Sequence, residues 1–194
     1  MSRRSSIATL TLSLAVTLSG CSAIGSVTNP TADASTTAKA DLFTAPAIDQ
    51  AIQALAKKVG ASPMKVLEFN VYSNLISVEA ADPAKPNEVN KFTYRDGSVE
   101  DPQPVKLTTT GSKDPSAALK ENLFDSTEIK PEVLAKLLAE AAAASKIEGA
   151  KTGGLLVKRD LPFSNDIQIL VNVDGTRADK QVRATVDGKI TEIV

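Results

Sequence analysis

The chain has 194 residues, a formal net charge of −1, 42% hydrophobic and only 4% aromatic side chains, a single cysteine and no histidine. Without histidine there is no imidazole base, no Ser-His or Cys-His nucleophile pair, and no histidine ligand for zinc or copper. The lone cysteine excludes an internal disulfide, and the absence of any basic run, with so few rings to stack on bases, sets nucleic acid aside as a partner.

Arg3 and Arg4 precede a stretch from Ile7 to Leu18 that contains no acid, which is the layout of an export signal. Ile7 to Ser19 is far shorter than the roughly 20 residues a membrane-spanning helix needs, so a permanent span is not expected. Ser5-Ser6-Ile7 continues a twin-arginine signal poorly, which favours general secretion. The run closes on Leu18-Ser19-Gly20-Cys21, which resembles the lipobox of bacterial lipoproteins. That resemblance implies cleavage before Cys21 by signal peptidase II and a diacylglycerol on the Cys21 thiol. It also implies residence at the extracytoplasmic face of the cell membrane. Residues 1–20 are then the signal peptide and Cys21 the candidate lipidation site. Two or more acyl chains hold a protein stably where one does not.

Residues 21–40 are rich in Ala, Ser and Thr and contain Pro30, the composition of a flexible tether. As a random coil this segment spans roughly 24 Å end to end. No basic patch supplements the lipid for docking on anionic headgroups.

The first folded unit is expected over residues 41–105. Asp41-Leu42-Phe43 leads into a helix whose Ile48, Ile52, Leu55 and Val59 form one apolar stripe, with Gln53, Lys57 and Lys58 turned to water. Gly60 and Pro63 end it, and strands are predicted at Lys65 to Tyr72, Leu75 to Ala80 and Lys91 to Tyr94. Asp96-Gly97 supplies the positive φ angles of a tight type I′ hairpin. Residues 106–121 read as a connector with a short helix, capped by Asp114 with Pro115 at its first position.

The second unit, residues 122–194, repeats the order. Asn122-Leu123-Phe124 precedes a helix with a stripe of Ile129, Val133, Leu137 and Ala141, and Glu128 and Glu132 share one solvated helix face. Gly149 and Gly153-Gly154 mark the exit into strands at Leu155 to Arg159, Ile167 to Val173 and Gln181 to Val186. Asp187-Gly188 closes a hairpin like the first. Neither Asp174-Gly175 nor Asp187-Gly188 sits in a calcium-loop pattern, and Gly153-Gly154 lacks the Lys-Ser/Thr of a phosphate-binding loop. No metal or cofactor site is therefore expected.

The expected class is α+β: two similar small units, each a helix packed on a three- or four-stranded antiparallel sheet. One fused sheet built from both halves is the alternative. Ala47 to Val105 and Glu132 to Val194, with Val186-Asp187-Gly188-Lys189-Ile190 the best local match, resemble the PepSY module of bacterial envelope proteins. The resemblance implies a non-catalytic module that binds or restrains peptidases or other envelope partners. The functional expectation is a lipid-anchored binding or scaffold protein of the envelope, not an enzyme. The other reading is a carrier holding a lipid or other apolar ligand, with Leu67, Phe69, Val71, Ile167, Ile169 and Val171 lining its cavity.

Overall fold

The computed structural model describes residues 41–108 and 114–194, which fall within one compact unit. The signal, the lipobox with Cys21 and the tether lie outside the described residues.

Alternation of apolar and polar residues builds the strands, and Gly and Pro punctuate them. In chain order the elements are helix α1 (Ala45–Val59), strands β1 (Lys65–Val71), β2 (Ile76–Ala81), β3 (Val89–Arg95), β4 (Ser98–Val99) and β5 (Gln103–Pro104). Helix α2 (Pro115–Asn122), strand β6 (Phe124–Asp125), a 3₁₀ turn at Ser126–Glu128 and helix α3 (Pro131–Ser145) follow. Strands β7 (Lys151–Arg159), β8 (Ile167–Asp174), β9 (Asp179–Thr185) and β10 (Ile190–Ile193) complete the chain.

The class is α+β, and the two halves share one sheet with strand order β10-β9-β8-β7-β1-β2-β3-β4. β5 pairs with β3, and β6 pairs with β1. The joint is the antiparallel pairing of β1 with β7, which sets Phe69 opposite Val157, Asn70 opposite Leu156 and Val71 opposite Leu155. Joining the halves here satisfies the backbone groups of two strands that would otherwise be exposed edges. It also enlarges a core that either half alone would find marginal.

α1 lies across β2, β3 and β4, α3 across β7, β8 and β9, and the two helices pack on each other. A single apolar cluster runs from Ile48 and Leu55 of α1 through Phe69, Val78 and Phe92 to Leu137 of α3, Ile169 and Val182. α1 begins with Pro46 in its first turn and ends at Gly60, whose left-handed φ of 80° lets its N–H bond the Ala56 carbonyl. The Asp114 carboxylate accepts from the N–H groups of Ser116 and Ala117, as its place before Pro115 predicts.

Several local expectations are corrected. The buried stripe of α1 is Ile48, Ala51, Leu55 and Val59, with Ile52 only partly covered. That of α3 is Leu134, Leu137, Leu138 and Ala141, while Ile129 is buried ahead of the helix. Glu128 lies in the 3₁₀ turn, where its carboxylate accepts from the Asp125 N–H at 3.2 Å, so it shares no helix face with Glu132. The exit from α3 is made by Lys146 and Gly149, both at positive φ. Gly153-Gly154 instead sits inside β7 at a bulge. A side chain on Gly154 would lie 2.7 Å from the Val71 carbonyl oxygen, so the residue is small because the end of β1 crosses there.

The two Asp-Gly hairpins also differ. Asp96 and Gly97 both have positive φ, as a type I′ turn requires. At the second turn only Gly188 does. The Gly188 N–H bonds the Thr185 carbonyl and the Thr185 N–H bonds that of Lys189, which is a type I turn followed by a left-handed glycine. Asp187 is held by Lys130 at 2.9 Å, and Val133 of α3 packs close to Gly188.

Candidate functional site

With α1 and α3 on one face, the other face of the sheet is where functional side chains can gather. Strand alternation dictates its content, since every second residue points away from the helices. One row, read across six strands and the β10 edge, is Glu192, Arg183, Leu170, Leu156, Asn70, Ser77 and Thr93, each opposite the next. A neighbouring row in the first half is Glu68, Glu79, Lys91 and Gln103.

The two halves of this face differ in chemistry. In the first half a groove of about 440 Å³ is lined by Glu68, Asn70, Tyr72, Ser77, Glu79, Lys91 and Thr93, with Arg95 and Glu100 at its side. Arg95 and Glu100 pair at 3.1 Å. Ser77 is 1% exposed, and Glu79 is half-buried. Burial, then the charge of Glu68, pushes the Glu79 carboxyl above its ordinary value of 4.5, and Lys91 pulls it partly back. Like charges placed directly opposite on neighbouring strands oppose pairing, as Glu68 and Glu79 do, while Lys91 opposite Glu79 favours it.

In the second half a groove of about 660 Å³ has Leu156 and Leu170 in its floor and Lys158, Gln181 and Arg183 around them. The loop between β7 and β8 overhangs it. There the Gln168 amide donates to Asp160, the Arg159 Nε donates to the Leu123 carbonyl at 3.1 Å, and Phe163 is 88% exposed. Arg183 pairs with Glu192 at 2.8 Å.

The residues proposed from sequence as a cavity lining fall elsewhere. Phe69, Val71, Ile167, Ile169 and Val171 belong to the core beneath the helices and pack against one another. Leu67 sits in a bulge of β1 and faces a small cleft with Leu107, Ala118 and Leu119 of the α2 region. Cys21 lies outside the described residues. The open-face residues were missed by sequence reading because polar side chains in a strand look like ordinary solvent-facing positions. The signal available was that Glu68 and Glu79 place an acid inside each of two adjacent predicted strands. Among the described residues, no group of three or more Cys, Asp or Glu is placed to hold a metal ion, and no helix is long and apolar enough to cross a membrane.

No family model matches the chain, and no curated protein matches it in sequence. Among solved structures, the crystal structure of CD1622 from Clostridium difficile 630, a protein that carries the name lipoprotein, superposes with a TM-score of 0.53. The match covers 82% of this chain and 97% of that one at 11% identity. At that identity the likeness is one of fold alone.

Proposed function

We propose that this chain is a lipid-anchored, non-catalytic binding or scaffold module at the extracytoplasmic face of the cell membrane, and that the helix-free face of its sheet is the contact surface. The observation that carries the reading is the one-sided architecture. Most of the large apolar side chains of the sheet are packed under α1 and α3, with Leu156 and Leu170 the apolar residues of β7 and β8 that face the other way. The other face keeps two chemically distinct grooves, too polar to be a second core. The export layout and the lipobox ending at Cys21 support the anchor, as does the name borne by a solved protein of like fold. The shared order of one helix followed by four strands on the main path of the sheet, β1–β4 after α1 and β7–β10 after α3, supports reading the halves as copies of one unit, fused through β1 and β7.

The carrier reading has its best support in Leu156 and Leu170, the apolar floor of the second groove. It loses the lining first assigned to it, because those side chains are packed in the core.

Two measurements test the proposal. Intact-mass analysis of the purified protein should show acyl chains on Cys21, and Cys21→Ser should move the protein from the membrane fraction to the soluble one. Photocrosslinkers placed in cells at Asn70 and Leu156 should capture one recurrent envelope protein, while crosslinkers at Asp49 and Glu140 on the helices should not. Unchanged membrane association in Cys21→Ser removes the anchor, and equal capture from both faces removes the contact surface.

A further inference from the structure

The end of the sheet where β1 begins and β7 finishes carries a projecting ring and, beside it, a hole. Phe163, in the loop between β7 and β8, is 88% exposed, although it also lines the edge of the second-half groove. The loop that presents it is braced. The Asp160 carbonyl accepts from the N–H groups of Phe163 and Ser164, and the Asp160 N–H bonds the Asp166 carbonyl at 2.9 Å. Arg159 donates to the Asn165 carbonyl. A ring held in water on a fixed backbone has little freedom left to lose on docking, which is the property of an interface anchor. Its flanks are acidic. Asp160 and Asp166 accept from Gln168 and Ser164, neutral groups that leave both negative charges in place.

The hole has the opposite character. A pocket of about 420 Å³ is walled by Ala61, Pro63, Pro83, Pro86 and Leu123, and the exposed Lys65 and Lys120 join its lining. Lys65 pairs with Asp125 at 2.8 Å, and the carboxylate of Asp82, also in the lining, is turned to the N–H groups of Ala84 and Lys85. Knob and hole adjoin, because Arg159, where the loop starts, donates through Nε to the carbonyl of Leu123 in the pocket wall. Within one copy the Phe163 ring lies outside this pocket. A projecting group and its complement set side by side at one end of a molecule are satisfied together by a two-fold axis, which puts each ring over the other copy's pocket and closes the contact as a dimer. The same axis turns the acidic flanks of each loop toward the lysines of the other copy.

We propose that two copies of this chain pair about a two-fold axis at this end of the sheet. The Phe163 ring of each enters the pocket of the other at Pro83, Pro86 and Leu123, and Asp160 and Asp166 face Lys65 and Lys120. The pairing does not depend on the contact surface proposed above.

The test is sedimentation velocity of the full acylated chain in excess density-matched detergent over a wide range of protein concentration. The expected result is a monomer–dimer equilibrium with a dissociation constant on the order of 10 μM, as suits a small interface. Phe163→Ala should weaken it roughly a hundredfold, because an anchor is lost at two contacts at once. Its urea midpoint should not change, since the ring is exposed. Lys120→Glu should weaken pairing roughly tenfold by setting like charges together, and adding Asp166→Lys should restore most of the loss. A monomer at every concentration overturns the proposal. A dimer that persists in Phe163→Ala uses another surface, such as the β10 edge with its exposed Ile193 and Val194, and overturns it as well. So does a dimer that needs Phe163 but is indifferent to Lys120→Glu, because the ring is then seated elsewhere than in this pocket.

Discussion

The two halves of the sheet agree on one face and disagree on the other. Beneath the helices, Phe69, Val78 and Phe92 of the first half and Val157, Ile169 and Val182 of the second are all buried apolar residues in one cluster. On the open face, Glu68, Glu79 and Ser77 stand in the first half where the second offers Leu156, Leu170 and Arg183. Packing against a helix permits only one solution, so the covered faces converge. The open face has no such constraint, and a difference there records what each half contacts. The comparison also explains why an Arg–Glu pair flanks each groove, Arg95 with Glu100 and Arg183 with Glu192. Exposed pairs of this kind contribute little to stability and mainly fix the groove walls.

The strongest way to break the shared face is Phe69→Ala. Phe69 is fully buried beside the joint between the halves, and removal of a buried ring costs about 3–5 kcal/mol. Because one cluster spans both halves, the loss should be felt equally far from the mutation. Amide exchange in β8 and β9 should accelerate together with that in β2 and β3. Destabilisation confined to the first half would mean two bodies, not one.

The joint itself is sharpened by Gly154→Ala. The added carbon would lie 2.7 Å from the Val71 carbonyl and 2.8 Å from the Tyr72 ring, so either backbone or ring must move. A cost of about 1–3 kcal/mol is expected, the usual size for overpacking. Gly97→Ala is the control, since no atom lies within 4 Å of its added carbon and the penalty arises only from its φ of 82°. Denaturant midpoints of the two variants measure the difference. Gly154→Ala should perturb NMR signals on both β1 and β7, whereas Gly97→Ala should perturb only the β3–β4 hairpin.

The covered face was legible in the sequence and the open face was not, for one physical reason. Burial leaves a periodic signature: Ile48, Leu55 and Val59 at helical spacing, and Phe69, Val71, Ile169 and Val171 at every second position. Strand limits predicted from it, such as Lys65 to Tyr72 and Ile167 to Val173, lie within a residue of β1 and β8. The fusion of the halves was legible only as an alternative, because pairing between β1 and β7 joins residues far apart in the chain and depends on neither strand's own pattern. The meeting of Glu68 with Glu79 depends on register, which a bulge at Val66–Glu68 sets and which no local pattern encodes. The second hairpin has a different turn from the first although both carry Asp-Gly, and it is the one that packs against α3 at Val133, a tertiary contact that the dipeptide does not encode.

The smallest and most specific effect is expected from Glu79→Gln, which acts on the open face alone. Burial first, and Glu68 second, raise the Glu79 carboxyl above 4.5. The folded chain therefore holds this proton more tightly than the unfolded chain does. The contribution to stability is fully present below about pH 4.5 and is lost as pH rises through the raised value. At neutral pH wild-type Glu79 is charged, half-buried and opposed by Glu68, so the neutral amide should stabilise the fold by on the order of 0.5 kcal/mol, the size of a cross-strand charge pair. Below about pH 4 the two proteins should unfold at the same urea concentration. In the second half, Gln168 already occupies an open-face position of β8 as an amide that donates to Asp160, and Gln168→Glu should destabilise the fold by setting two carboxylates together, with Lys158 opposite offsetting part of the cost. A Glu79→Gln midpoint that is lower at neutral pH, or an advantage that survives acid, would mean that Lys91 outweighs both burial and Glu68. The row would then be held by its Glu79–Lys91 pair.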